Sequence, residues 1–296
     1  MRERMWVAYS FMTPVALVMA LIVVYPLIGS VMSSFTDLDR SNAATVFRPE
    51  STEQWVGIQN YVDILASDAF RETFAWTIVW TVTNVFFHFT IGLGLALLLN
   101  QQFRGRTAYR LVLMLPWAVP AFVSAVAWRY IFNGEYGFLN LFLESFGLEG
   151  PNWLSELPYA YIAPIIVNVW LGVPFMMIAL LGGMQSIPQD LYEAARVDGA
   201  NRRQSFWNIT IPQLKSVSVA VTMLGIIWTF NLFVVIFLTT GGGPAGKTDI
   251  LVTESYNLFQ AGEYALASTY SVIILSILLV FVTIYQRVFR TEDVSR

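Results

Sequence analysis

The sequence has no cysteine and only one histidine, His88, among its 296 residues. The lack of cysteine excludes disulfide bonds, thiolate metal sites and thiol nucleophiles. With a single histidine, metal sites built from several imidazoles and histidine proton relays are excluded as well. A lone histidine on a helix is more often packed among its neighbours than part of a relay, and packing is the expectation for His88.

Charge is also scarce in this chain. Only 12% of the residues are charged and 56% are hydrophobic, whereas a soluble domain is about 25% charged. The mean hydropathy of +0.58 indicates a chain that cannot keep its apolar surface out of water as one globule. The composition therefore predicts an integral membrane protein, and the net charge of -3 gives no sign of nucleic-acid binding.

Six long uncharged stretches come close to the length of about 20 residues that a membrane-spanning helix needs. We predict an all-α integral membrane protein in which residues 1–296 form a single transmembrane domain. The predicted spans are 6–35, 73–101, 108–132, 159–185, 214–240 and 264–288. The first stretch is much too long for the core of a signal peptide and is interpreted as a retained anchor. In the third, Trp117 lies between Pro116 and Pro120, where the helix is expected to be distorted.

The arginines and lysines orient these spans. With the N-terminus inside, 12 of the 17 lie in cytoplasmic segments, as the positive-inside rule requires. Both termini are then cytoplasmic, and so is the long loop 186–213. The interiors of the spans hold no Asp, Glu, Lys or Arg, although ion-coupled carriers need such groups at membrane depth. The energy for any transport is therefore expected to come from another chain.

The inner loop 186–213 carries the most informative pattern. Pro188 suits the first turn of a helix, with Ser186 as its cap. A second short helix is predicted at 202–209, ending at Pro212. Taken alone, such a loop would be an amphipathic helix lying on the inner leaflet.

The spacing within this loop resembles the EAA motif of ABC importer permeases. A Glu-Ala-Ala triplet is followed by Gly199 after three residues, and further on by Ile209 and Pro212. In that family the loop is a coupling helix that sits in a cleft of the cytoplasmic ATPase subunit. By this resemblance, the residues that couple to the ATPase are Glu193, Ala194, Ala195, Asp198, Gly199, Ile209 and Pro212.

Other segments resemble the sugar branch of that family, in particular the F-type permease of maltose transporters. They are residues 56–61, 115–120, 170–177 and 237–244. The resemblance implies a type I importer permease with six spans, a multi-pass location in the plasma (inner) membrane of a prokaryote, and half of a translocation pathway. It implies import of a sugar such as maltose, maltodextrin or trehalose. The alternative is an ABC permease for another neutral or polyol solute such as glycerol phosphate.

The same resemblance implies partners. They are a second homologous permease, two copies of an ABC ATPase, an extracytoplasmic sugar-binding protein, the sugar and membrane lipid, without nucleic acid. No cofactor is expected on this chain, because the partner ATPase would use ATP and Mg. The chain is thus expected to be non-catalytic and to have no P-loop. A channel or secondary carrier would leave residues 193–212 unexplained.

Two helical faces are candidate contact surfaces, because a sugar site needs aromatic faces and a few hydrogen-bonding groups. One repeats at i, i+4 and i+7 on the fourth span, and the other at i, i+3, i+4 and i+7 on the fifth. Such faces more often mark helix–helix packing, but the resemblance to the maltose site favours substrate contact. The predicted contacts are Asn168, Gly172 and Phe175, then Gly225, Trp228, Thr229 and Leu232, together with Trp117 and, from the resemblance, Val234.

Overall fold

The computed structural model describes residues 2–46 and 49–290, with side chains for 11–46 and 49–289. These residues are helical apart from their connecting loops and one isolated bridge between Thr36 and Trp55. The helices are α1 (Arg2–Met19), α2 (Tyr25–Ser33), α3 (Gln59–Ala66), α4 (Asp68–Asn100), α5 (Arg106–Ala118), α6 (Ala121–Ile131), α7 (Phe138–Glu144), α8 (Tyr159–Gln185), α9 (Gln189–Val197), α10 (Arg202–Ser205), α11 (Ile211–Phe230), α12 (Phe233–Thr239), α13 (Leu251–Ala261) and α14 (Tyr264–Arg290). Two π-helical turns, Ala20–Val24 and Phe206–Thr210, join α1 to α2 and α10 to α11.

Five continuous helical stretches are long and apolar enough to cross a membrane. They are Phe11–Ser33, Asp68–Asn100, Tyr159–Gln185, Arg202–Phe230 and Tyr264–Phe289. The pair α5 and α6 adds a sixth when the two helices are taken as one broken span. The predicted all-α membrane fold with six spans is confirmed.

The third span is broken, whereas the sequence predicts a distorted helix over 108–132. Helix α5 ends at Ala118, Val119 is extended with φ −85° and ψ 129°, and α6 begins after Pro120. A proline disfavours helical backbone at the residue before it and has no N–H to donate. The two helices therefore meet at an angle of 91°.

The fifth span differs from the prediction at both ends. The prediction that a short helix ends at Pro212 is wrong, since the chain continues from α10 through the π turn, and Pro212 lies in the first turn of α11. A π turn widens the helix where the proline ring would otherwise clash with the carbonyl four residues earlier. At the other end, α11 stops at Phe230, and Asn231 and Leu232 separate it from α12.

The chain divides into two compact units. The single transmembrane domain expected from the sequence therefore stays a prediction. The first unit comprises the residues up to Arg71 and Leu251–Leu279, and the second comprises Glu72–Ile250 and the residues from Val280 on. In the first unit, the side-chain amide of Asn60 donates to the carbonyls of Ser34 at 3.0 Å and Thr36 at 2.8 Å. These bonds fix the chain where the first span ends.

Helix α8 is at the centre of the second unit. Its residues Met177 and Leu180 are fully buried and belong to one apolar cluster with Leu99 of α4 and Leu214 of α11. Small residues let the helices approach closely. A β-carbon added at Gly92 of α4, for example, would lie 2.7 Å from the Cβ of Met176.

Candidate functional site

A cavity of about 380 Å³ lies among α4, α5, α6, α8 and α11, all within the second unit. The break between α5 and α6 forms part of its wall, because Ala118, Val119, Pro120 and Ala121 all face it. Eight of the nine predicted substrate contacts line this one cavity: Trp117, Asn168, Gly172, Phe175, Gly225, Trp228, Thr229 and Leu232. The fold thus brings together residues from the third, fourth and fifth spans.

Val234 is the predicted contact that the structure does not place at the cavity. The sequence predicts a fifth span that continues to residue 240. Instead, the helix stops at Phe230, and α12 starts a new direction at Phe233. Val234 is half-buried in the first turn of that separate helix.

Aromatic rings form one side of the cavity. The rings of Phe175 and Trp228 lie 4.9 Å apart between centroids, at an interplanar angle of 57°. Trp228 remains 54% exposed and Trp117 is 60% exposed, although both residues are large and apolar. Such open aromatic faces suit the apolar C–H surface of a ring-shaped ligand.

The two glycines, Gly172 and Gly225, have packing roles at the edge of the cavity. A β-carbon at Gly172 would overlap the imidazole of His88 and lie 2.7 Å from its Nδ1 atom. At Gly225, a β-carbon would lie 2.6 Å from the terminal methyl group of Met176. Both glycines therefore leave room for a neighbouring side chain at the edge of the cavity.

The polar residues of the cavity are deeply buried. Asn168 and Thr229 are each 3% exposed. The carbonyl of Thr229 accepts a hydrogen bond from the indole of Trp80 at 2.9 Å, whereas the side-chain nitrogen of Asn168 is buried without a hydrogen-bond partner. An unpaired buried donor is costly, by about 1–3 kcal/mol, and Asn168 belongs to the residues that line the cavity, so a hydrogen bond from this amide to a polar ligand group would remove that cost.

His88 is the cavity residue that the sequence analysis did not include. It lines the cavity, and its Nε2 lies 2.9 Å from the carbonyl oxygen of Asn168. Thr77, Thr81, Asn84 and His88 are all buried along one face of α4. The helical spacing of these polar residues within an apolar span indicates, from the sequence alone, that this face of α4 points into the protein.

No charged residue belongs to the described set that lines the cavity. The ligand groups it offers are aromatic rings, a threonine hydroxyl, an amide and an imidazole. Such a site suits an uncharged ligand with hydroxyl groups better than an anion or a polyamine.

The predicted coupling residues lie in the cytoplasmic segment that follows α8. Glu193, Ala194 and Ala195 are in α9. The side chain of Glu193 is 59% exposed, and its Oε1 lies 3.8 Å from a guanidinium nitrogen of Arg196. An exposed ion pair of this kind adds little stability. The Glu193 carboxylate is therefore open to a partner chain.

A tight turn ends α9. Asp198 caps the helix, and Gly199 has a φ of 81°, in the left-handed region that glycine adopts without strain. The turn leads to Asn201, whose side chain accepts from the backbone N–H of Gln204 while Gln204 bonds back to the Asn201 N–H, which makes a capping box for α10. Gly199, which the EAA-like spacing singles out, therefore lies in the turn that separates α9 from α10.

The beginning of this segment differs from the prediction. Ser186 does not cap α9, because its hydroxyl donates to the carbonyl of Gly183 at 2.8 Å and so ends α8. Helix α9 follows Pro188 without a side-chain cap. Further along, the hydroxyls of Tyr192 and Thr210 lie 3.0 Å apart, which ties α9 to the π turn that also contains Ile209. Pro212 follows this turn at the start of α11.

The expectation that the sequence has no P-loop pattern is wrong, because one outer loop carries the pattern. Residues 241–248 match the letters G-x-x-x-x-G-K-[ST], with Gly241, Gly246, Lys247 and Thr248 at the fixed positions. A phosphate-binding P-loop connects a strand to a helix that starts at the loop itself. Here the loop follows a helix, α12, and the next helix starts later, at Leu251.

The contacts of this loop also differ from those of a P-loop. Lys247 pairs with Glu72, and this hydrogen bond raises the pKa of Lys247. The Thr248 hydroxyl donates to the carbonyl of Gly243 at 2.8 Å. A β-carbon at Gly242 would meet the carboxylate of Asp249, so the glycines pack around an acidic group of the chain itself. The match is therefore one of letters and not of structure.

A chain with six spans, an uncharged cavity among the second to fifth of them and an exposed cytoplasmic helix of the EAA type has the features of a membrane-embedded permease subunit. The chain belongs to the family of binding-protein-dependent transport system inner membrane components, whose pattern matches residues 88–291. This membership confirms the predicted resemblance to ABC importer permeases and the multi-pass location in the inner membrane.

Individual relatives extend the match over nearly the whole chain. The chain is 34% identical to the trehalose/maltose transport system permease protein of Thermococcus litoralis, over 95% of this chain and 93% of that one. It is also 34% identical to the galactooligosaccharides transport system permease protein of Bacillus subtilis, over 94% of this chain and 68% of the relative. A bacterial ABC transporter involved in the import of the acidic polysaccharide alginate contains a chain with the same fold, at 23% identity and a TM-score of 0.85, with 98% of this chain and 96% of that chain covered.

Proposed function

We propose that this chain forms half of the translocation pathway of an ATP-driven importer of neutral sugars, with maltose, maltodextrin or trehalose as candidate substrates. The carrying observation is the uncharged cavity of about 380 Å³, which has aromatic side chains and buried polar groups in its wall. Its volume falls in the range of about 300–1,000 Å³ that is typical of small-molecule sites. Broken helices commonly line such sites in transporters, as α5 and α6 do here.

The chemistry of the cavity favours a neutral sugar over the alternatives. Glycerol phosphate and other phosphorylated solutes would call for arginine or lysine, and the described lining contains neither. The structural neighbour named above imports an acidic polysaccharide, whereas two relatives named above are permeases for trehalose/maltose and for galactooligosaccharides. An uncharged cavity agrees with the second group.

The energy for import is proposed to enter through the segment Glu193–Pro212. Glu193 offers an exposed carboxylate to a basic residue of an ATPase. The small side chains of Ala194 and Ala195 allow the backbone of α9 to approach the ATPase closely. The proposed complex contains a second homologous permease, two ATPase chains that use ATP and Mg, and an extracytoplasmic sugar-binding protein. In this assembly the chain is a non-catalytic subunit and binds no cofactor.

Transport by reconstituted complexes tests this proposal. The chain is co-expressed with its second permease, ATPase and binding protein, and uptake of labelled maltose and labelled trehalose into proteoliposomes is measured with and without internal ATP. We expect ATP-dependent uptake of at least one of these sugars. Uptake of neither sugar, or uptake that needs no ATP, would contradict the proposal.

Trp228→Ala tests the cavity itself. We expect Trp228→Ala to abolish uptake, because it removes the exposed indole ring that lies beside Phe175 in the cavity wall. The complex should still assemble, and basal ATP hydrolysis should continue. Phe86→Ala is the matched control, since Phe86 is an exposed aromatic residue of α4 that does not line the cavity. Wild-type uptake by Trp228→Ala, or an equal loss in the control, would overturn the site assignment.

A further inference from the structure

His88 occupies an unusual position for the single histidine of an apolar chain. It is 4% exposed, in the middle of α4, and its imidazole fills the notch that Gly172 leaves on α8. It is also the only titratable side chain among the described residues that line the cavity. A purely apolar side chain could fill the notch, so the presence of an imidazole calls for a reason beyond packing.

The hydrogen bond at Nε2 determines the chemistry of the other ring nitrogen. Nε2 lies 2.9 Å from the backbone carbonyl of Asn168, and a carbonyl oxygen can only accept. Nε2 therefore carries the proton, and in the neutral ring Nδ1 is an acceptor with a free lone pair. Nδ1 makes no hydrogen bond to any residue in the described part of the chain.

A donor without a partner accompanies this acceptor. The side-chain nitrogen of Asn168 is buried and unpaired, on the residue whose carbonyl holds the His88 ring. A sugar hydroxyl can donate one hydrogen bond and accept another. The acceptor of His88 and the donor of Asn168 together match what one hydroxyl, or two neighbouring hydroxyls, would require.

We propose that His88 is a sugar-selecting residue of the cavity, in which Nδ1 accepts a hydrogen bond from a substrate hydroxyl while the Nε2 proton holds the ring against α8. The inference rests on the proposed function and adds a residue to that site. A site that pairs with a hydroxyl discriminates strongly against solutes that lack it, because its own buried polar atoms are then left unpaired.

Two substitutions separate the two nitrogens of the ring. Counted in bonds from Cα, the amide of glutamine reaches the position of Nε2, and the amide of asparagine reaches that of Nδ1. His88→Gln can therefore keep the bond to the Asn168 carbonyl and loses Nδ1, the acceptor proposed to bind the sugar. His88→Asn can place an acceptor oxygen near Nδ1 and loses the bond that holds the ring to α8.

The experiment measures two quantities for the wild type and both variants in the full complex. One is uptake of labelled maltose or trehalose at saturating sugar, divided by the amount of assembled complex. The other is the melting temperature of the complex in detergent. We expect His88→Gln to melt like the wild type and to lose about 10-fold in uptake. His88→Asn should melt at a lower temperature and lose less than about 3-fold in uptake per complex.

A packing role for His88 makes the opposite prediction. In that case His88→Gln transports at the wild-type rate, and His88→Asn loses uptake in proportion to its stability; this result would overturn the inference. The wild type separates this failure from failure of the proposed function. If it takes up neither sugar, the proposed function fails, whereas wild-type uptake with a fully active His88→Gln defeats the role of His88 alone.

Discussion

The cavity and the cytoplasmic segment Glu193–Pro212 are built in opposite ways. The cavity collects residues that are far apart in the sequence, from His88 to Leu232, and its polar members are almost fully buried. The cytoplasmic segment consists of neighbours in sequence, and Glu193 at its start is largely exposed. A substitution in the cavity therefore acts through the side chains packed against it, whereas a substitution in the segment acts through the local backbone or through a partner chain.

Gly172→Ala is expected to have the largest effect on stability, because the new methyl group would overlap the buried imidazole of His88. Overpacking of this kind costs about 1–3 kcal/mol. We therefore expect the melting temperature of the assembled complex to fall by several degrees. Gly182→Ala is the matched control, since it lies on the same helix and a β-carbon there would have no neighbour within 4 Å.

The double variant Gly172→Ala/His88→Ala sharpens this test. Removal of the ring makes room for the methyl group, so the two changes should be non-additive, as contacting residues usually are. The double variant should melt at a higher temperature than the sum of the single effects implies. If Gly172→Ala melts like Gly182→Ala, the notch does not constrain the helices as described.

Gly199→Val should have the largest effect in the cytoplasmic segment. The φ of 81° at this position lies in the left-handed region, which costs an ordinary residue roughly 1–2 kcal/mol and a β-branched one more. A β-carbon would meet no neighbour within 4 Å, so strain of the backbone is the only penalty. Because Gly199 is exposed, the strain should be relieved by a change in the conformation of this turn and not by unfolding of the packed helices. We therefore expect at least a 10-fold loss of ATP-driven uptake with little change in the melting temperature.

Gly199→Asn is the conservative partner of that variant. Asparagine adopts left-handed backbone more readily than other non-glycine residues, so this variant should retain most of the uptake. Equal losses in the two variants would show that the position requires the absence of a side chain, and not the left-handed backbone conformation.

The two regions also differ in how much of them the sequence could predict. Helix α9 and the stop at Gly199 follow from local spacing, because glycine at a helix end and a proline just before the helix act within a few residues. The predicted ends of the fifth span were wrong because they depend on longer-range packing or on uncommon backbone geometry. The π turn before Pro212 keeps one helix continuous, whereas α11 breaks at Asn231 without a proline there.

The cavity was predictable only in part, for a physical reason. Helical spacing shows which residues share a face, and so it grouped Asn168 with Gly172 and Phe175. It does not show which side chain of another helix fills the space beside a glycine. The contact between His88 and Gly172 exists only once α4 and α8 are packed together. The sequence predicts that His88 is packed, but it does not predict against which residue.

Tyr192→Phe is expected to have the smallest effect and tests whether α9 moves with the fifth span. The hydroxyl of Tyr192 lies 3.0 Å from that of Thr210 in the π turn, and such a bond contributes about 0.5–1.5 kcal/mol. Because this bond links the segment to α11, its loss should reduce uptake about 2- to 5-fold while ATP hydrolysis continues. The measurement is the ratio of sugar transported to ATP hydrolysed. Tyr109→Phe is the control, since Tyr109 is an exposed tyrosine of α5 whose hydroxyl makes no hydrogen bond to another described residue. An unchanged ratio in Tyr192→Phe would mean that a movement of α9 reaches the fifth span through the backbone at Gly199 and not through this side-chain contact.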